Sequence, residues 1–136
     1  MAEIYQLTLA DVLALHEVMM ERFGRAPAPL REEGLLESAI MRPRMVAYYN
    51  DIDLVSQCAI LTVGISQAQA FLDGNKRTAY AACDVFLRLN GLAFSGDPLA
   101  LAIQLETVAQ QSSDLEEATE RFAQWLRGEV SAREES

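Results

Sequence analysis

The chain has 136 residues, 51% of them hydrophobic and 23% charged, and 20 acidic against 11 basic side chains give a net charge of −9. This length suits one compact domain that can bury a core without disulfides or a structural metal. The acidic balance argues against nucleic acid or an anionic membrane surface as a partner. No apolar run is long enough to span a membrane, and the start lacks the features of a signal peptide, so we expect a cytoplasmic protein.

Rare residue types narrow the chemistry further. The chain has a single histidine, His16, and a single lysine, Lys76. A zinc site of the usual cysteine and histidine kind is therefore excluded, as is a mechanism that requires two histidines. Cys58 and Cys83 lie in apolar segments, and we predict that they are buried and reduced.

Apolar spacing in the first third of the chain is typical of helices. Thr8 and Asp11 have the spacing of a capping box, which predicts a helix that starts there and ends near Gly24. After a loop with two prolines, a second and short helix is predicted to stop near Pro43. The apolar positions that mark these two helices are Leu9, Val12, Leu13, His16, Met19 and Met20, then Leu35, Leu36, Ala39 and Ile40.

Two helices in the middle of the chain are predicted to be apolar on most faces, as is typical of helices at the centre of a fold. The first covers residues 54–70, and Asp51 and Asp53 are its candidate caps. The second covers residues 75–89 and stops at Asn90-Gly91.

The last third of the chain is predicted to continue in helices. Residues 92–94 form a short extended piece, and Asp97-Pro98 begins the next helix. Ser113 and Glu116 have the spacing of a capping box for the final helix. The inner face of that helix is predicted to consist of Leu115, Ala118, Phe122, Trp125 and Leu126.

These elements predict an all-α fold of about six helices packed around the two central apolar ones. Residues 1–128 are assigned to this single domain. Residues 129–136 are polar and are predicted to be a frayed C-terminal tail.

The segment between the central helices, residues 69–78, breaks the local rules. Its Asp-Gly-Asn turn is followed by Lys76 and Arg77 in the first turn of a helix, where the positive end of the helix dipole favours acids instead. We interpret this cationic pair as a site for phosphate, with Asp73 as a candidate Mg²⁺ ligand. The alternative is that both cations pair with surface acids and that Asp73 caps the helix. The segment is not a Walker A loop.

Residues 71–79, Phe-Leu-Asp-Gly-Asn-Lys-Arg-Thr-Ala, resemble the signature loop of Fic/Doc proteins, which reads His-x-Phe-x-Asp/Glu-Gly/Ala-Asn-Gly/Lys-Arg-Thr. Residues 13–16, 34–39, 42–43 and 86–91 are similar to Doc-type toxins as well. The resemblance covers roughly residues 4–126 and implies a Fic-like helical bundle. It also implies that Gly74 and Asn75 form an anion hole, that Asp73 binds Mg²⁺ and that Arg77 contacts phosphate.

Two departures imply the Doc branch of the family. Most members transfer AMP and carry glycine at the position of Lys76 and a second arginine at that of Tyr80. Doc-type proteins instead transfer the γ-phosphate of ATP to a threonine of elongation factor Tu, which stops translation. Lys76 and Arg77 would then offset phosphate charge during transfer, and a Phd-type antitoxin would be the inhibitory partner.

Gln69 stands at the position of the motif histidine, which is the general base of the family. A glutamine amide can hydrogen-bond a hydroxyl but cannot take its proton. We therefore expect an inactive protein, in which Gln69 is either an inactivating replacement of histidine or the natural residue of a member that only binds nucleotide or antitoxin. AMP transfer is a further alternative.

Other expectations concern the surroundings of the loop. We predict that His16 is a hydrogen-bonded packing residue and that Phe71 is a core residue under the loop. Residues 44–52 lie near the place where Fic proteins carry a flap that aligns the target, although Tyr48 and Tyr49 are predicted to be half-buried packing residues. The inhibitory Ser/Thr-x-x-x-Glu-Gly/Asn motif of some Fic proteins is missing, so inhibition is expected in trans.

Overall fold

The computed structural model describes residues 3–133, except for the side chain of Ser112. The described chain is an all-α bundle, as the sequence predicts, and it also contains a small two-stranded sheet that the sequence does not predict. Its elements are α1 (Leu9–Arg22), α2 (Glu33–Tyr49), α3 (Leu54–Ala68), α4 (Asn75–Leu89), β1 (Leu92–Phe94), α5 (Pro98–Gln110), a 3₁₀ turn (Ser112–Asp114), α6 (Leu115–Arg127) and β2 (Val130–Ala132).

Helices α3 and α4 form the centre of the bundle. Both are buried on most of their faces, and α3 packs against α2, α4 and α6, while α1 packs against α4. Gly64 of α3 lets α2 approach closely, because a Cβ there would lie 3.3 Å from the Cβ of Ala39. The prediction of two central apolar helices is therefore confirmed.

Several helix ends follow the local sequence signals. Thr8 and Asp11 form the reciprocal capping box of α1. The Asp53 carboxylate accepts the backbone N–H of Ser56, so Asp53 is the cap of α3, and Asp51 is not. At the other end of the central pair, α4 stops at Leu89 as predicted.

Helix α2 contradicts the predicted stop at Pro43. Pro43 lies inside the helix, is buried, and the helix continues for another six residues to Tyr49. Proline removes one backbone hydrogen bond and strains the preceding turn. Burial of the proline ring and the packing of α2 along α3 offset that cost, which local sequence rules do not include.

Two other boundaries and one predicted inner-face residue also differ from the prediction. Helix α3 ends at Ala68 instead of residue 70, because Gln69 adopts a left-handed conformation with φ 51°. Asp114, not Ser113, caps α6 by accepting the N–H of Glu117, since a 3₁₀ turn shifts the helix start. On the inner face of α6, Ala118, Phe122 and Leu126 are buried, whereas Leu115 is 43% exposed.

The prediction of a frayed C-terminal tail is wrong for residues 129–133, which are the part of the tail that the structure describes. Val130–Ala132 forms β2, which pairs antiparallel with β1, and Arg133 donates its backbone N–H to the Gly91 carbonyl. Residues 134–136 lie outside the described chain. Among residues 3–133, no helix combines the length and apolarity needed to cross a membrane.

Candidate phosphate-binding site

The loop of residues 69–74 joins the two central helices and turns sharply at both ends. Gln69 has φ 51° and Gly74 has φ 82°, both in the left-handed region. Only glycine adopts this conformation without cost. Gly74 also lacks room for a side chain, because a Cβ would lie 2.5 Å from Sδ of Met20 and 3.3 Å from Nε2 of His16.

Asn75 shapes the loop from within. Its buried side chain accepts the N–H of Phe71 through Oδ1 at 3.1 Å and donates to the Phe71 carbonyl through Nδ2 at 2.8 Å. Both polar groups of the side chain are thus engaged by the loop backbone. Asn75 would therefore contact an anion through its backbone N–H, since the first N–H groups of a helix have no acceptor within it.

Residues 29–32 lie beside the loop, and their backbone pairs with it. Leu30 forms a β-bridge with Phe71, and the Arg31 N–H donates to the Ala70 carbonyl at 2.8 Å. The flap was expected near residues 44–52, but residues 44–49 are the end of α2. The backbone that pairs with the loop instead precedes α2. Arg31 also donates through Nε to the carbonyl of Gln69 at 3.2 Å.

Asp73 is exposed, and both of its carboxylate oxygens are engaged. Oδ1 accepts the N–H of Gly74 at 2.8 Å, and Oδ2 accepts Nη1 of Arg25 at 2.8 Å. The N-cap of α4 is Gly74, so the alternative in which Asp73 caps the helix is wrong.

The donor set limits the kind of metal site that Asp73 can offer. Within residues 3–133, no cluster of three or more His, Cys, Asp or Glu side chains could hold an ion by itself. Mg²⁺ bound together with a nucleotide needs only one or two protein carboxylates, because phosphate oxygens and water complete its shell. Asp73 fits that role if it exchanges Arg25 for the metal.

The two cations at the start of α4, Lys76 and Arg77, have partners from distant parts of the chain. Lys76 forms an ion pair with Glu106 of α5. The guanidinium of Arg77 lies 4.1 Å from the ring centroid of Phe23, just after α1, in a cation–π contact. Pairing with a surface acid, the alternative drawn from the sequence, therefore holds for Lys76.

Gln69 is exposed at the end of α3, and its amide is already in use. The side-chain nitrogen donates to the carbonyl of Ser66 at 3.0 Å, one turn back along the helix. Histidine is among the residue types that enter the left-handed region more often than most. The backbone at this position therefore suits the histidine of the family motif.

His16 and Phe71 lie beneath the loop, as predicted. His16 is 2% exposed and Phe71 is 3% exposed, and their rings stack at 3.7 Å with an angle of 4°. His16 Nε2 is 3.0 Å from the carbonyl oxygen of Asp73. The contact with Asp73 links α1 directly to the backbone of the loop.

The three tyrosines that the sequence analysis names, Tyr48, Tyr49 and Tyr80, have different environments. Tyr80 is half-buried and packs edge-on against Phe94, and burial, followed by the charge of Asp84, raises its pKa. Tyr48 and Tyr49 contact each other edge-on but are 82% and 78% exposed, so the prediction of half-buried packing is wrong for them.

Sequence reasoning missed two charged residues at the site, Arg25 and Glu106. Arg25 contacts Asp73 of the loop across 48 residues of sequence, and Glu106 contacts Lys76 of α4 across 30. No local pattern marks either residue. The chain has 20 acidic side chains, and its sequence does not indicate which of them pairs with Lys76.

Comparison with known proteins identifies relatives that are similar over half of the chain or more. The family model described as the Fic/DOC family matches residues 6–87. Toxin Doc of Mycolicibacterium smegmatis is 39% identical over 70 residues, which cover 50% of this chain and 54% of the relative, so the match spans about half of that protein. Protein kinase doc of Escherichia phage P1 is 34% identical over 89 residues, covering 65% of this chain and 70% of the relative. The chain therefore belongs to the Fic/DOC family.

Proposed function

We propose that the chain is a Doc-type toxin whose active form transfers the γ-phosphate of ATP to a threonine hydroxyl of elongation factor Tu. The observation that carries the proposal is the loop itself. Gly74 starts α4 in a left-handed conformation, and Asp73, Lys76 and Arg77 lie within one turn of that helix start. The names of both relatives support a Doc-type toxin, and one of them supports kinase chemistry.

Phosphate transfer depends mainly on positioning and on stabilising charge. The N–H groups at the start of α4 and the side chains of Lys76 and Arg77 would bind the phosphate oxygens. Arg77 would keep its contact with Phe23 or exchange it for phosphate, and Lys76 would exchange Glu106 for phosphate. A Mg²⁺ ion held by Asp73 and the phosphates would offset further negative charge.

The missing part is a group that takes the proton from the attacking hydroxyl. Gln69 has no basic atom near neutral pH, and its amide nitrogen already donates to Ser66. We propose that Gln69 replaces histidine and inactivates the chain. With histidine at this position, the imidazole would accept the threonine proton as the oxygen attacks the γ-phosphorus and ADP leaves.

Tyr80 favours phosphate transfer over AMP transfer. It stands where AMP-transferring members carry a second arginine, and its ring packs against Phe94 instead of supplying a cation. AMP transfer is therefore the second candidate. A member that only binds nucleotide or antitoxin is the third, and Gln69 is the observation that favours it.

The test compares the chain as it stands with its Gln69→His variant. Each is incubated with Mg²⁺, elongation factor Tu and ATP labelled at the γ-phosphate, and target mass is measured. We expect a phosphorylated threonine with Gln69→His alone, and none with Gln69→His combined with Arg77→Ala. An adenylated target would favour the second candidate. No modification by Gln69→His, despite nucleotide binding, would favour the third.

The proposed partner is a Phd-type antitoxin. We expect induction of Gln69→His to arrest growth, and co-expression of a Phd-type antitoxin encoded beside this chain to relieve the arrest. Growth arrest that persists despite a soluble antitoxin would contradict this partner.

A further inference from the structure

We propose that His16 is a positioning residue that orients the Asp73–Gly74 peptide so that the Gly74 N–H faces a bound phosphate. The inference rests on the proposed nucleotide binding at this loop. It assigns to a buried residue of α1 a role in ligand affinity, beyond the packing role that its apolar helix face indicates.

The orientation follows from one hydrogen bond. A carbonyl oxygen only accepts, so His16 Nε2 carries the proton that it donates to the Asp73 carbonyl at 3.0 Å. His16 is buried, so that carbonyl points inward. In a trans peptide the C=O and the following N–H point in opposite directions. The N–H of Gly74 therefore points outward, where it donates to the exposed carboxylate of Asp73.

The loop needs this support because Gly74 has little conformational preference. Glycine populates positive and negative φ about equally, so rotation of the peptide costs little in the backbone itself. An inward N–H would remove one donor from the anion site at the start of α4. The bond from His16 stabilises the orientation in which that donor is available.

The imidazole is itself held in place. It stacks on Phe71 at 3.7 Å, and the backbone of Phe71 is fixed on both sides by the Asn75 side chain. His16 therefore contacts the loop at two points, through its ring face and through Nε2. This arrangement separates the role of the ring, which packs, from that of Nε2, which orients the peptide.

The test separates these roles by substitution. His16→Phe keeps a stacked ring and loses the donor, whereas His16→Gln keeps a donor of similar reach. Val12→Ala is the matched control, because Val12 is a fully buried residue of the same helix whose truncation costs stability. Binding of Mg-ATP and of inorganic phosphate is measured by calorimetry under conditions where each variant is folded.

We expect His16→Phe to weaken Mg-ATP binding about tenfold, as for one lost hydrogen bond to an anion. His16→Gln should recover most of the affinity, and Val12→Ala should bind as the parent chain does. Equal binding by His16→Phe and Val12→Ala would overturn the inference and leave His16 as a packing residue.

A second readout needs no ligand. The amide resonance of Gly74 in a ¹⁵N-labelled protein should shift in His16→Phe and stay in place in Val12→Ala. An unchanged Gly74 resonance in His16→Phe would overturn the inference. Absence of Mg-ATP and phosphate binding by the parent chain, with the Gly74 shift still dependent on His16, would instead count against the proposed function alone.

Discussion

The ammonium group of Lys76 donates to the carboxylate of Glu106 and links the first turn of α4 to α5. Both side chains are about half exposed, 45% for Lys76 and 51% for Glu106. An exposed pair of this kind contributes about 0–1 kcal/mol to stability. Lys76 can therefore exchange Glu106 for phosphate at little cost.

The first prediction concerns this exchange. Glu106→Gln should tighten Mg-ATP binding about threefold, because it removes a competing anion, and Lys76→Met should weaken binding about tenfold. Glu117→Gln is the control, since it breaks a comparable exposed pair with Arg121 on α6 and should leave affinity unchanged. Titration calorimetry measures all three variants. Weaker binding by Glu106→Gln would show that the carboxylate holds Lys76 in its binding position instead.

A second prediction compares two glycines with the same backbone conformation. Gly74 has φ 82° and Gly91 has φ 83°, but a Cβ meets Met20 Sδ at 2.5 Å only at Gly74, whereas nothing lies within 4 Å at Gly91. Gly91→Ala should cost about 1–2 kcal/mol of unfolding free energy from backbone strain alone. Gly74→Ala should cost at least about 1 kcal/mol more, because Met20 is buried and must shift. Urea unfolding measures both, and equal losses would contradict the close contact.

The third prediction concerns the pH dependence of stability at the start of α3. Burial tends to raise the pKa of Asp53, but hydrogen bonds from the Ser56 backbone and from Arg127 outweigh it and lower the pKa below the ordinary 3.8. A carboxylate with a lowered pKa contributes stability that is present above its unfolded pKa and is lost as the pH falls through the folded value.

Asp53→Ala should therefore destabilise the protein at neutral pH by about 1 kcal/mol, as for a lost N-cap. The difference from the parent chain should shrink as the pH falls below about 4. Asp53→Asn, which keeps the capping acceptor, should lose less at neutral pH. Urea unfolding of the three proteins across that pH range gives the comparison, and a gap that widens in acid would refute the assignment.

The fourth prediction concerns the cysteines between the central helices. Cys58 and Cys83 are free and fully buried with Sγ atoms 3.5 Å apart, which confirms their assignment to the core. Burial, together with Cys83, raises the pKa of Cys58 well above its ordinary value. Because thiolates are the reactive species, the folded protein should resist a thiol reagent near pH 8. In denaturant both cysteines should react at once, and fast labelling of the folded chain would contradict the packing.

Local sequence determined the elements whose signals lie within a few residues. The Thr8 and Asp11 cap, the Asp53 cap, the span of α4 and the start of α5 at Pro98 all match their predictions. A cap is a hydrogen bond between residues two or three positions apart, so its free energy depends on the local sequence. The signature loop belongs to the same class, since its turn residues and its cations are neighbours.

Tertiary structure decided what depends on burial and on distant partners. Helix α2 continues through Pro43 because packing along α3 offsets a local cost, and residues 130–132 form a strand only because β1 accepts them. At the site, distant partners contact the charged side chains and the loop backbone: Arg25 pairs with Asp73, Glu106 pairs with Lys76, Phe23 contacts Arg77, and His16 donates to the Asp73 carbonyl. These contacts gain free energy only when the folded chain brings distant segments together, so no local pattern could predict them.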